Sequence, residues 1–187
     1  MSKISWVENL EIAQKEVFRT GKLVLMFFHH PACGGCRKTI DITFDDKDVL
    51  ELIDKEFVPV SFVVTEAQDV TARYKVEWTP TFIIADAFGN ELERWVGYLP
   101  PEDFISQVHL SEGLAAFHRN NFPQAEHAFE WIIDNNPDSE IAPKARYYMG
   151  VTLYKETGDP AHLTRTWEAM NKRYPGHFWT KKASAWS

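Results

Sequence analysis

Cysteine is nearly missing from this chain: Cys33 and Cys36 are the only two among 187 residues. That excludes the multi-bridge framework of small secreted domains and leaves one closely spaced pair to explain. Long apolar runs are missing too. No stretch approaches the roughly 20 apolar residues of a membrane span, so no membrane partner is expected. Positive charge is in deficit, with 20 Lys and Arg against 27 Asp and Glu and a net charge of −7. Phosphate backbones are bound through basic faces, so no nucleic-acid partner is expected either. Residues Met1 to Thr20 carry Glu8, Glu11, Lys15, Glu16 and Arg19 and hold no uninterrupted apolar core of a signal peptide, which points to a cytoplasmic protein. In a reducing compartment a lone cysteine pair reads as catalytic or metal-binding rather than structural. A second Cys-x-x-Cys, or a His pair at zinc spacing, is absent, so a zinc site would fall short of its usual four ligands.

What is present is a well-filled globular chain, 44% hydrophobic and 14% aromatic. Ser5, with Glu8 three residues on, reads as a capping box opening a helix through Trp6, Leu10, Ala13, Val17 and Phe18, which Gly21 stops. Lys22 to Phe28 reads as a buried strand and Cys33 to about Thr39 as a helix. Asp45-Asp46 starts another helix. Phe57 to Val64 is a second strand and Glu66 to Lys75 a short helix. Thr81 to Ala85 and Glu91 to Val96 pair as a hairpin around Asp86-Ala87-Phe88-Gly89-Asn90. Pro100-Pro101-Glu102 opens a further helix. Strands separated by helices imply a parallel pair by right-handed crossover, and the hairpin adds an antiparallel edge. The fold class is therefore α/β, a sandwich with a mixed central sheet. After about Phe104 strand signals vanish, and the rest is helical, broken at Asn120-Asn121, Asn135-Asn136-Pro137, Gly158-Asp159-Pro160 and Pro175-Gly176. That change sets a first domain at 1–110 and an all-α module at 111–187, with no Gly/Ser linker between them.

Cys33-Gly34-Gly35-Cys36 follows a strand and opens a helix, which makes the motif a redox signal. At a helix start both sulfurs lie at one end, where they can close a small disulfide ring or bind part of a metal. Three separated pieces then carry a resemblance to the thioredoxin-like family: this motif, Trp78-Thr79-Pro80-Thr81-Phe82, and Val96-Gly97-Tyr98. The resemblance implies that Cys33, facing the helix dipole, is the attacking thiolate and Cys36 the resolving thiol. It implies a cis peptide at Thr79-Pro80, with Gly34, Gly35, Trp78, Thr79 and Pro80 receiving substrate. His29 and His30 end the strand on opposite faces, so one of them at most can approach Cys33. With Arg37, they are candidate modulators of its pKa. Two positions depart from the family pattern. Phe27 stands where thioredoxins carry a buried Asp that helps move the resolving thiol's proton, and Ala32 stands where a Trp usually precedes the first cysteine.

The second module resembles tetratricopeptide repeats. Gly113, Ala125, Phe129 and Pro137 fall at that family's small-residue, aromatic and terminal-proline positions. A second unit runs from near Lys144 through Tyr147, Gly150, Tyr154, Ala161 and Pro175. Phe178 to Trp186 reads as a capping helix. Two units with a cap imply a protein-binding surface. The expected function is a thiol–disulfide oxidoreductase exchanging disulfides with protein or peptide substrates. It would be served by a reductase or oxidant that recycles it and would need no cofactor or metal. Two alternatives stand beside it: a redox-passive adaptor on the same fold, and a metal site built from Cys33, Cys36 and one of His29, His30 or His177.

Overall fold

The computed structural model describes residues 4–187; the first three residues of the expected first domain lie outside the described part. Two compact units divide the chain between Phe104 and Ile105. The division falls inside one continuous helix.

The first helix, α1, spans Leu10–Thr20 and is capped by Asn9, whose side chain accepts from the Ile12 amide at 2.9 Å. The expected Ser5–Glu8 capping box is therefore not formed. Residues before Asn9 are drawn to the sheet instead: the Val7 N–H donates to Pro59 O at 2.9 Å and Val7 pairs with Val60. Trp6 lies against Phe27 and Phe44. A backbone bonded to a strand cannot also complete a helical turn, so the cap moves to the next short polar side chain. Gly21 ends α1 at φ 74°, a left-handed value that glycine adopts without strain.

Strand β1 is Leu23–His29, helix α2 Gly34–Asp41, α3 Lys47–Glu56, β2 Phe57–Val63, α4 Gln68–Arg73, β3 Thr81–Ala85 and β4 Glu91–Val96. Helix α2 starts one residue later than the sequence suggested and leaves Cys33 outside it as the cap. Helix α4 is shorter than Glu66 to Lys75. Asp46 caps α3 by accepting from the amides of Asp48 and Val49.

The sheet order is β2-β1-β3-β4. β1 runs parallel to β2, with Leu23 opposite Phe57, and antiparallel to β3, with Phe27 opposite Phe82. β3 and β4 form the antiparallel hairpin. Asp86 holds its turn by accepting from the amides of Phe88 and Asn90, each at 2.9 Å.

Side-chain alternation along β1 then sets both faces. Val24, Met26 and Phe28 pack with Leu10, Ala13 and Val17 of α1. Phe27 points the other way into an aromatic layer. Trp6, Phe27, Phe82 and Trp95 stack in series at interplanar angles of 25°, 20° and 12°. Phe44 and Phe104 meet Phe82 edge-on. Each such pair contributes about 0.5–1.5 kcal/mol beyond its buried area.

Helix α5 spans Pro101–His118, and the second unit adds α6 Phe122–Asn135, α7 Ala142–Thr157, α8 Ala161–Arg173 and α9 Phe178–Ala183. A single 3₁₀ turn, Ser184–Trp186, follows. Leu110, Leu114, Ala125, Phe129, Ile132 and Ala145 form its core. The helices approach closely at two glycines. A Cβ on Gly113 would lie 2.4 Å from Phe129 Cε1, and one on Gly150 would lie 2.2 Å from Thr166 Oγ1. The helix breaks fall at the asparagine, glycine and proline clusters named from the sequence.

Candidate active site

Cys33 is the N-cap of α2. Its backbone is extended, at φ −82° and ψ 117°, so its side chain turns back over the first helical turn. There the Cys36 amide donates to Cys33 Sγ at 3.1 Å. The Cys33 N–H donates to His30 O at 3.0 Å, which ties the end of the β1 loop to the helix start. On the other side Cys33 Sγ lies 3.3 Å from Thr79 O, close enough for the thiol to donate to it. Both cysteines are free thiols; Cys33 is partly exposed and Cys36 buried.

The two thiols are driven apart electrostatically. Burial pushes the Cys33 thiol up. Hydrogen bonds from the Cys36 thiol, the Thr79 side chain and the amides of Cys36 and Gly35 act against that, and the net result lies below the ordinary cysteine value. Burial pushes Cys36 up to about 11, with the Cys33 hydrogen bond adding to the rise and the His30 backbone opposing it. A partly exposed thiol whose thiolate is stabilised thus sits over a buried thiol whose thiolate is disfavoured.

The Thr79-Pro80 peptide is cis. The Gly97 N–H donates to Pro80 O at 2.8 Å, and Thr81 Oγ1 donates to Trp78 O at 2.7 Å. The segment is therefore pinned at both ends beside the sulfurs. Gly35 faces it closely, since a Cβ there would lie 3.1 Å from Pro80 Cδ. Gly34, by contrast, has open space where its Cβ would be. A groove of about 640 Å³ runs past Cys33, lined by His30, Gly34, Gly35, Trp78, Thr79 and Pro80 among others. Trp78 is 72% exposed on its rim.

The remaining sequence candidates divide. His30 lines the groove, and its Nδ1 accepts from the Ala32 amide at 3.1 Å. His29 stacks on Phe27, with centroids 4.9 Å apart, and burial pushes its pKa down. The largest influences on the Cys33 thiol come from its burial and from Cys36, Thr79 and Gly35. Phe27 is fully buried in the aromatic stack and offers no proton relay. Among the described residues no group of three or more His, Cys, Asp or Glu could hold a metal ion, so the metal reading lacks a ligand set. Val64, Val76, Glu77 and Tyr98 also line the groove. Tyr98 lay within the Val96-Gly97-Tyr98 signature, so its position carried a signal. The two valines read only as apolar chain positions, and nothing in the sequence set them beside Cys33.

Residues 10–110 match the family model described as the thioredoxin-like domain. The chain belongs to the thioredoxin-like family. A thioredoxin from Thermus thermophilus superposes on this thioredoxin-like domain with a TM-score of 0.50 and 29% identity, over 58% of this chain and 85% of that one. A candidate disulphide-isomerase from Bacteroides thetaiotaomicron gives a TM-score of 0.52 at 22% identity, over 58% and 92% of the two chains, a likeness of fold. A search of curated proteins finds no match.

Proposed function

We propose that this thioredoxin-like protein is a thiol–disulfide oxidoreductase acting on protein or peptide disulfides. The observation that carries the reading is Cys33 capping α2: the Cys36 amide meets its sulfur at 3.1 Å while Cys36 itself is buried beneath. The Cys33 thiolate attacks a target disulfide, forming a mixed disulfide and releasing one target thiolate. Cys36 then gives up its proton and attacks Cys33 Sγ, closing the Cys33–Cys36 disulfide and releasing the second target thiolate. The target gains two electrons and the protein loses two. A dithiol reductase returns them; run in reverse, with an oxidant as recycling partner, the same steps oxidise a target.

The helical unit is assigned to the tetratricopeptide-repeat type, with a protein partner in its concave surface. The close helix approaches at Gly113 and Gly150, on the small-residue positions of the two units, support this. Neither a nucleic acid nor a membrane is assigned as partner, and the compartment proposed is the cytoplasm. One observation favours a second reading, a redox-passive adaptor: Phe27 fills the place of a proton-moving carboxylate.

Covalent trapping separates the two. Cys36→Ser cannot resolve the mixed disulfide, so it accumulates protein adducts through Cys33 that mass spectrometry identifies. The wild-type protein is expected to accelerate the reduction of insulin disulfides over the rate with dithiothreitol alone. Recovering no adducts beyond a Cys33→Ser control, together with no acceleration of insulin reduction over dithiothreitol alone, would overturn the oxidoreductase in favour of the adaptor.

A further inference from the structure

A second groove, of about 720 Å³, adjoins the dithiol motif and is lined by Arg37, Lys38, Asp41, Ile42 and Tyr98. Gly34, Gly35 and Tyr98 line both grooves, so the glycine pair forms the saddle between them. Gly35 has a structural reason to lack a side chain, because Pro80 Cδ stands 3.1 Å from where its Cβ would be. Gly34 has none. It is exposed, open space surrounds its missing Cβ, and its φ lies in the range ordinary residues adopt. A Cβ there would obstruct only a chain crossing from one groove to the other.

The two grooves differ in chemistry. The first carries exposed Trp78 with Val64 and Val76, and one carboxylate, Glu77. The second carries two cations against the single carboxylate of Asp41, and no ion pair is formed by Arg37 or Lys38 with the described residues. Lys38 Nζ rests over the Tyr98 ring, 5.6 Å from its centroid, which places its charge against the groove wall. Ile42, 47% exposed, continues that wall.

We propose that the site selects an extended polypeptide segment that crosses Gly34, with its disulfide cysteine over Cys33, an apolar residue against Trp78 and an acidic residue between Arg37 and Lys38. The proposal deepens the oxidoreductase reading and rests on it. Charge complementarity at one end and apolar contact at the other fix the direction of the segment, and one residue of extended chain covers about 3.3–3.6 Å. In the capture step the Cys33 thiolate attacks the segment's cysteine sulfur. A new disulfide to Cys33 forms, the segment's original disulfide breaks, and its former partner leaves as a thiolate.

The test uses the full chain carrying Cys36→Ser, so that a single capture is read without turnover. Nine-residue peptides bear one central cysteine as its mixed disulfide with 5-thio-2-nitrobenzoate, whose release is followed by absorbance. They carry an acidic pair, a basic pair or a neutral pair on either flank. Capture of the acidic peptide on one flank is expected to be roughly fivefold faster than that of its basic counterpart, falling towards equality at high salt. Adding Arg37→Glu and Lys38→Glu is expected to reverse the ratio. Because only ratios within one variant are compared, any change in Cys33 reactivity cancels. Equal rates for all peptides, or a preference that survives the charge reversal, would overturn the proposal. No capture of any peptide by Cys33, together with failure of the insulin assay, would instead sink the oxidoreductase reading on which the proposal rests, so the two failures are told apart.

Discussion

At the scale of single residues, the proposed function rests on the contrast between Cys33 and Cys36. They are one helical turn apart, yet one caps α2 and the other is buried. The thiolate is the nucleophile, so alkylation tracks ionisation. Iodoacetamide is therefore expected to modify Cys33 first, with a rate–pH midpoint below that of free cysteine, while Cys36 stays unmodified until the chain unfolds. Mass spectrometry of the labelled peptide checks both. A midpoint at or above the free-cysteine value would remove the helix-cap explanation. The spacing of the pair was legible from the sequence. The burial that separates the two thiols followed only from the fold the resemblance implied, because it depends on tertiary packing and not on the spacing itself.

At the scale of elements, local signals worked where the chemistry is local. Gly21 stops α1, Asp46 caps α3, and the Asp86 turn joins β3 to β4. They failed at the N-terminus, where Ser5 and Glu8 offered a plausible capping box. A strand edge competed for the same backbone and won, leaving Asn9 as the cap. The helical unit gives its own prediction. Gly113 and Gly150 sit where a facing side chain occupies the space a Cβ would need. Gly113→Ala and Gly150→Ala are each expected to destabilise the protein by about 1–3 kcal/mol, because overpacking forces neighbouring helices to shift. Urea denaturation followed by circular dichroism reads this. An unchanged or raised midpoint for both variants would show that the helices do not pack as closely as described.

At the scale of the whole molecule, thiol ionisation couples to folding. The Cys36 thiol has a raised pKa, about 11, when folded. Such a group contributes stability that is fully present below its unfolded pKa and is lost as pH rises through the folded one. The reduced protein is thus expected to lose stability between roughly pH 8.5 and 11, by on the order of 1–2 kcal/mol more than Cys36→Ser does. Cys33, shifted the other way, acts below that range, where its contribution to stability rises with pH up to its unfolded pKa. Parallel denaturation curves for the two proteins across that interval would show that Cys36 is not buried as described.

The sequence alone determined the α/β order, the helical second half and the position of the dithiol motif, because apolar periodicity, glycine, proline and capping side chains act over a few residues. It also carried Pro80 and Tyr98 as a signature, and through the family resemblance, not through any local pattern, the place of the Thr79-Pro80 segment against the sulfurs. Only the tertiary structure decided that Phe27 is one layer of an aromatic stack, that His30 rather than His29 reaches the groove, and that Gly34 is open while Gly35 is pressed against Pro80. Those outcomes depend on which strands become neighbours, and hydrogen bonds and packing between residues some fifty positions apart leave no local pattern in the chain.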